Sequence, residues 1–108
     1  FEAATCWLVS DGRKSAFVTN TTSGSVSRYR VRPNGRLKLR GGGHRFGGSP
    51  DAFPTDMAIT PDGEFLYTLN AGRGTIGVFR VRNSGKLVFL GEGGSLPALA
   101  GLQGIAAH

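Results

Sequence analysis

A histidine beside an arginine, His44-Arg45, stands in a glycine-rich run, and the carboxylates of Asp51 and Asp56 follow within a dozen residues. Arg73 sits between two glycines, and Asn20 and Asn70 each close an apolar run, fifty positions apart. An arginine offers a bidentate fork to carboxylate or phosphate. An imidazole can move a proton near neutral pH. Basic groups beside carboxylates suit an anionic, oxygen-rich small molecule. The formal net charge of +6 on 108 residues favours the same partners. Other chemistries find no support. Cys6, His44 and His108 are too few and too scattered for zinc, and there is no G-x-S-x-G elbow. Gly72-Arg73-Gly74-Thr75-Ile76-Gly77 matches G-x-G-x-x-G, but the dinucleotide motif needs a helix after it and a strand pattern follows. No cofactor is expected. The single cysteine, in an apolar run beside Trp7, reads as a buried thiol. No apolar run reaches the ~18 residues of a membrane-spanning helix. Asn20-Thr21-Thr22 fits the glycosylation pattern, which matters only for a secreted chain; the compartment is not readable.

The elements that must hold these residues come in two sets. Asn20, Gly24, Arg30-Val31-Arg32, Gly35 and Leu37 recur at Asn70, Gly74, Arg80-Val81-Arg82, Gly85 and Leu87. A fixed period of this size marks a repeat architecture. Short apolar runs bounded by Asp-Gly, Asn and Gly turns predict strands over Thr5–Ser10, Ser15–Asn20, Ser25–Arg32 and Leu37–Leu39. After a long connection from Arg40 to Pro54, the same four follow over Thr55–Thr60, Phe65–Asn70, Thr75–Arg82 and Leu87–Leu90. Gly104–Ala107 reads as the opening of one further strand, after a connection from Gly91 to Gly101 that holds at most a helical turn. Four antiparallel strands per ~50 residues describe a β-propeller blade. A single eight-stranded β-sandwich is the rival, though it does not require its halves to be near-copies. The expected fold is therefore all-β: blade one over about 5–43, blade two over about 55–94 and a closing strand over about 104–107, in one partial-propeller domain.

Pro54-Thr55-Asp56-Met57-Ala58-Ile59-Thr60-Pro61-Asp62-Gly63-Glu64, with Phe65 to Asn70, resembles the seven-bladed lactonase propellers, a family that includes 6-phosphogluconolactonase-like proteins and fungal carboxymuconate cyclases. Cys6 to Gly12 with Ala16 to Asn20 resembles it too, and Gly101 to Ala107 is similar to its C-terminal tail. The resemblance implies hydrolysis of a sugar-acid or related lactone, which needs an activated water and a cation or dipole for the developing oxyanion. Among the loop residues, His44 or Asp56 would be the base and Arg45 or Arg73 the stabiliser, with Asn20, Asp51 and Asn70 contacting the ligand. Each has a plainer reading: His44 as a solvated loop residue, Asp56 as an inter-blade hydrogen-bonder, Asn20 and Asn70 as turn residues.

The family has seven blades and this sequence has two, and its opening, Phe1-Glu2-Ala3-Ala4, reads as cut from something longer. Two blades leave apolar faces and sheet edges uncovered. Self-association is expected, three copies making a six-bladed ring and four an eight-bladed one. Two other functions stay open. One is a non-catalytic, oligomeric scaffold or ligand-binding ring. The other is a basic polyanion binder using Arg28, Arg30, Arg32, Arg80 and Arg82 or the RGG-like run Arg40 to Gly48, although nucleic acid is not the favoured partner.

Overall fold

The computed structural model describes residues 3–45 and 50–108, with side chains for 3–40 and 51–108. Two sheets form, in chain order and without crossover. The first is β1 (Thr5–Ser10), β2 (Ser15–Asn20), β3 (Ser25–Val31) and β4 (Leu37–Arg45); the second is β5 (Pro54–Ile59), β6 (Phe65–Asn70), β7 (Thr75–Val81) and β8 (Leu87–Gly93). Every pairing is antiparallel. A 3-10 turn, Pro50–Ala52, leads into β5. These are two four-stranded propeller blades.

The period-two pattern decides how they stack. On β2 and β3, Phe17 and Val26 share a face, since Phe17 lies opposite Arg28 and Thr19 opposite Val26. On the second sheet Met57, Leu66, Phe79, Val81 and Leu87 share one. These two faces meet, with Ala52 between them and Val9 and Ile59 at the margin, in one apolar core. Phe17, Val26, Leu66 and Phe79 are fully buried. Each such side chain contributes about 1.5–3 kcal/mol through burial. The core is therefore the junction between the blades, not the interior of either.

The outward faces are open. Leu8, Leu37 and Leu39 are exposed on blade one's outward face, and Leu90 on blade two's; Trp7, also exposed, lies on the side of β1 that carries Val9. Blade two's outward face also carries Phe65, with the Arg80 guanidinium 5.6 Å from its ring centroid.

Three expectations are corrected. The fourth strands are longer than their apolar runs: β4 continues to Arg45 and β8 to Gly93. Pairing to β3 and β7 carries them on, with register shifts that let glycine-rich chain stay in the ladder. Gly104–Ala107 forms no strand within this chain; the Gly104 N–H donates to the Asp56 carboxylate instead. Cys6 is exposed, not buried; it lies on β1, where five of the six residues are exposed.

Candidate functional site

In an antiparallel sheet, alternate turns lie at the same end. The β2–β3 and β6–β7 turns therefore share an end with the long connections into β5 and out of β8. The sequence-derived candidates collect there, and the connection out of β8 bonds Asp56 directly and, at Ala71 and Gly74, the turn that carries Arg73.

Residues 71–74 are clamped from both sides. The incoming connection accepts hydrogen bonds at Phe53 O from Ala71 N (3.1 Å) and at Ala52 O from Gly72 N (3.0 Å). The outgoing one donates from Leu96 N to Gly74 O and from Leu99 N to Ala71 O, both 2.8 Å. A Cβ on Gly72 would stand 2.1 Å from Asp51 O, and one on Gly74 2.0 Å from Leu96 O. Gly74 also has φ +67°, where a side chain is strained. Backbone crowding thus accounts for the two glycines flanking Arg73, and strand β7 follows them directly.

Held by that clamp, Arg73 joins a polar chain. Its Nε and Nη2 donate to Asp51 Oδ1 at 2.9 and 2.7 Å, and its Nη1 donates to Glu92 Oε1 at 2.6 Å. Thr75 Oγ1 donates to Glu92 Oε2 at 3.0 Å, and Asn70 Nδ2 to Thr75 Oγ1 at 3.4 Å. The Arg73 and Glu92 side chains are 23% and 17% exposed, and that of Asp51 67%. Arg73 is thus half sunk and Asp51 faces water. The hydrogen bonds it donates to Asp51, and then the charge of Glu92, raise the pKa of Arg73, so the guanidinium is a permanent, oriented cation.

Asp56 is elsewhere in character. It is buried, and its carboxylate accepts from Met57 N (2.7 Å, Oδ1) and Gly104 N (2.8 Å, Oδ2). Thr55 Oγ1 donates to Leu102 O at 3.0 Å. Together they tie the C-terminal segment to β5. Asn20 is buried between strands, its Nδ2 donating to Ser25 Oγ (3.1 Å) and Ser27 Oγ (2.8 Å). Asn70, its repeat partner, accepts at its backbone O from Gly74 N (2.8 Å). Its buried Oδ1 has no partner among the described residues. Both asparagines act as strand-to-turn braces. The backbones of His44 and Arg45 pair with Val26 and Ser25 in β4; their side chains lie outside the described residues.

The cluster therefore joins Arg73 and Asp51 from the expected set and adds Glu92 and Thr75. Blade one places Ser23 and Gly42 at the positions of Arg73 and Glu92, so the repeat gave no sign of an ion pair. The register opposing Gly77 to Glu92 across β7 and β8 creates it. Among the described residues, no group of three or more His, Cys, Asp and Glu side chains could hold a metal.

A family model for "Lactonase, 7-bladed beta-propeller" matches residues 7–95. No curated protein matches. Among solved structures, a candidate 6-phosphogluconolactonase from Bacteroides fragilis NCTC 9343 superposes with a TM-score of 0.74 at 25% identity, covering 88% of this chain and 28% of that one. A candidate 6-phosphogluconolactonase from Bacteroides uniformis ATCC 8492 gives 0.71 at 20% identity, with 82% and 25% covered. A functionally unknown protein from Desulfotomaculum acetoxidans DSM 771 gives 0.67 at 25% identity, with 82% and 26% covered. The chain thus spans about a quarter of the length of these relatives. With the family model matching most of the sequence and two blades stacked as a propeller stacks them, the chain belongs to the seven-bladed β-propeller lactonase family.

Proposed function

We propose that these two blades form part of a lactonase that hydrolyses a sugar-acid or related lactone, with the Arg73 cluster on the wall of its site. The observation that carries this reading is a permanent guanidinium, fixed by two carboxylates, at the end of blade two where the long connections meet. Water attacks the lactone carbonyl carbon and gives its proton to the exposed Asp51 carboxylate. The tetrahedral oxyanion develops against Arg73, where a fixed cation needs no reorganisation. The ring C–O bond then breaks, the departing oxygen takes the proton from Asp51, and the product is a hydroxy acid whose carboxylate Arg73 can hold. Glu92 and Thr75 position Arg73 from behind. The lactone rings of 6-phosphogluconolactonase substrates belong to this class, as the solved relatives' names suggest.

The test is turnover of a sugar-acid δ-lactone, with and without a 6-phosphate, by wild type, Arg73→Ala and Arg73→Lys. Removing an oxyanion stabiliser lowers kcat by roughly 100-fold or more. Lysine, lacking the fork, restores only part of it. Equal kcat in all three overturns the assignment.

A second reading rests on the open faces. Leu8, Leu37 and Leu39 on one side and Leu90 on the other leave each blade with an unmatched surface. Copies stacked head to tail would cover them, three or four closing a ring, as a scaffold if no lactone is turned over. Light scattering distinguishes the arrangements: a trimer or tetramer supports ring closure by copies, and a mass near 11 kDa removes it.

A further inference from the structure

At the opposite end of the blades, the Asp-Gly turns and the β7–β8 turn enclose a cleft whose two walls both belong to this chain. Its volume is about 440 Å³, within the range of small-molecule sites. Blade one contributes Arg13, Lys14, Arg28, Arg30 and Arg40, and blade two the Asn83-Ser84 turn. A second cavity of about 560 Å³ shares Arg13, Asn83 and Ser84, and extends it to Arg80 and Arg82. More than half of the chain's thirteen cationic side chains line these two adjoining spaces. The carboxylates there are Asp11 and Glu64.

The anions do not neutralise the cations. Asp11 Oδ1 is taken by its own turn, accepting from Arg13 N (2.8 Å) and Ser15 N (3.0 Å). The ion pairs recorded among the described residues are both made by Arg73, at the other end. One cation is built in. Arg28 Nη1 donates across the blades to Ser84 O at 2.8 Å, and Nη2 donates to Arg40 O at 3.2 Å. Its Nε is buried and has no acceptor among the described residues. A guanidinium fixed by neutral carbonyls keeps its full charge, and the remaining cations gather round it. Sequence alone places Arg28 and Arg30 on a solvated strand face; the fold turns them into the groove between blades.

We propose that this cleft is a second ligand site, separate from the Arg73 cluster, for a small molecule carrying two or more phosphate groups. Several cations around a bounded volume favour a compact polyanion over a monoanion. A volume of this size suits a small molecule.

The test is calorimetric titration of the full chain with tripolyphosphate in 0.15 M salt, with ATP as a second arm. The expected result is saturable binding at one ligand per chain. Arg30→Gln and Arg40→Gln each weaken it about fivefold, while Arg32→Gln and Arg36→Gln, outside the cleft, leave it within about twofold. ATP binding as tightly as tripolyphosphate assigns recognition to the phosphate chain, and tighter ATP binding adds the nucleoside; both support the site. Thermal shifts with saturating tripolyphosphate, read for every variant, separate lost binding from lost folding. Absence of saturation at millimolar ligand, or equal weakening by the Arg32 and Arg36 variants, overturns it. So does a DNA duplex that binds more tightly and is unaffected by Arg30→Gln.

Discussion

Substituting Gly74 by alanine asks whether the clamp on the β6–β7 turn is what shapes the Arg73 end. Gly12 provides a matched control. Its φ is +69° against +67° for Gly74, and nothing lies within 4 Å of its Cβ position. Gly12→Ala therefore meets only the left-handed backbone penalty, about 1–2 kcal/mol, offset by about 0.4–1 kcal/mol from a less flexible unfolded chain. Gly74→Ala carries the same penalty and adds a Cβ 2.0 Å from Leu96 O, against backbone that cannot rotate aside. The outgoing connection must move, at an overpacking cost of about 1–3 kcal/mol. The hydrogen bond from Leu96 N to Gly74 O goes with it, a further ~1 kcal/mol. Gly74→Ala should thus be about 2–4 kcal/mol less stable than Gly12→Ala. In a domain of this size each kcal/mol is about 4–8 °C in Tm. Parallel urea titrations of the two variants measure the gap. A difference below about 0.5 kcal/mol would refute the clamp.

Phe17→Ala, emptying a fully buried position at the blade junction, should cost about 3–5 kcal/mol in urea unfolding; a cost under 1 kcal/mol would mean the blades do not stack through this core. Asp56→Asn exchanges a carboxylate that accepts from two backbone N–H groups for a neutral amide, and should cost about 1–3 kcal/mol while speeding hydrogen exchange at the Gly104 amide. The Asp62 carboxylate is held below its ordinary 3.8, first by the Thr60 hydroxyl and then by the Glu64 N–H. Its contribution is complete above the unfolded pKa and lost as pH falls through the lower folded one, so Asp62→Asn should narrow its stability gap to wild type on acidification below about pH 4; an unchanged gap would contradict the turn's geometry.

The period of fifty residues carried most of the fold, because turn chemistry is local. Asn20 and Asn70, and the Asp-Gly pairs at Asp11 and Asp62, brace strand ends through hydrogen bonds within a few residues. What did not show was set across space. Gly41 and Gly91 read as punctuation, yet lie inside β4 and β8, since an outer strand is held by its neighbour rather than by its own propensity. Arg73 and Asp51 were legible as charged loop residues. Glu92 was not: nineteen positions from Arg73, it meets the guanidinium only through the β7–β8 pairing. Asp56, a carboxylate of the right type in the resembling motif, spends both oxygens on backbone N–H groups, a use that depends on where Gly104 folds back.

The most direct measurement is lactone hydrolysis followed by pH-stat, on protein whose mass light scattering has established in the same buffer. The expected result is acid release above the spontaneous rate by wild type and by Arg30→Gln, and loss of that excess in Arg73→Ala. A rate indistinguishable from buffer in every assembly state, or an excess that survives Arg73→Ala, would contradict a lactonase site built on Arg73.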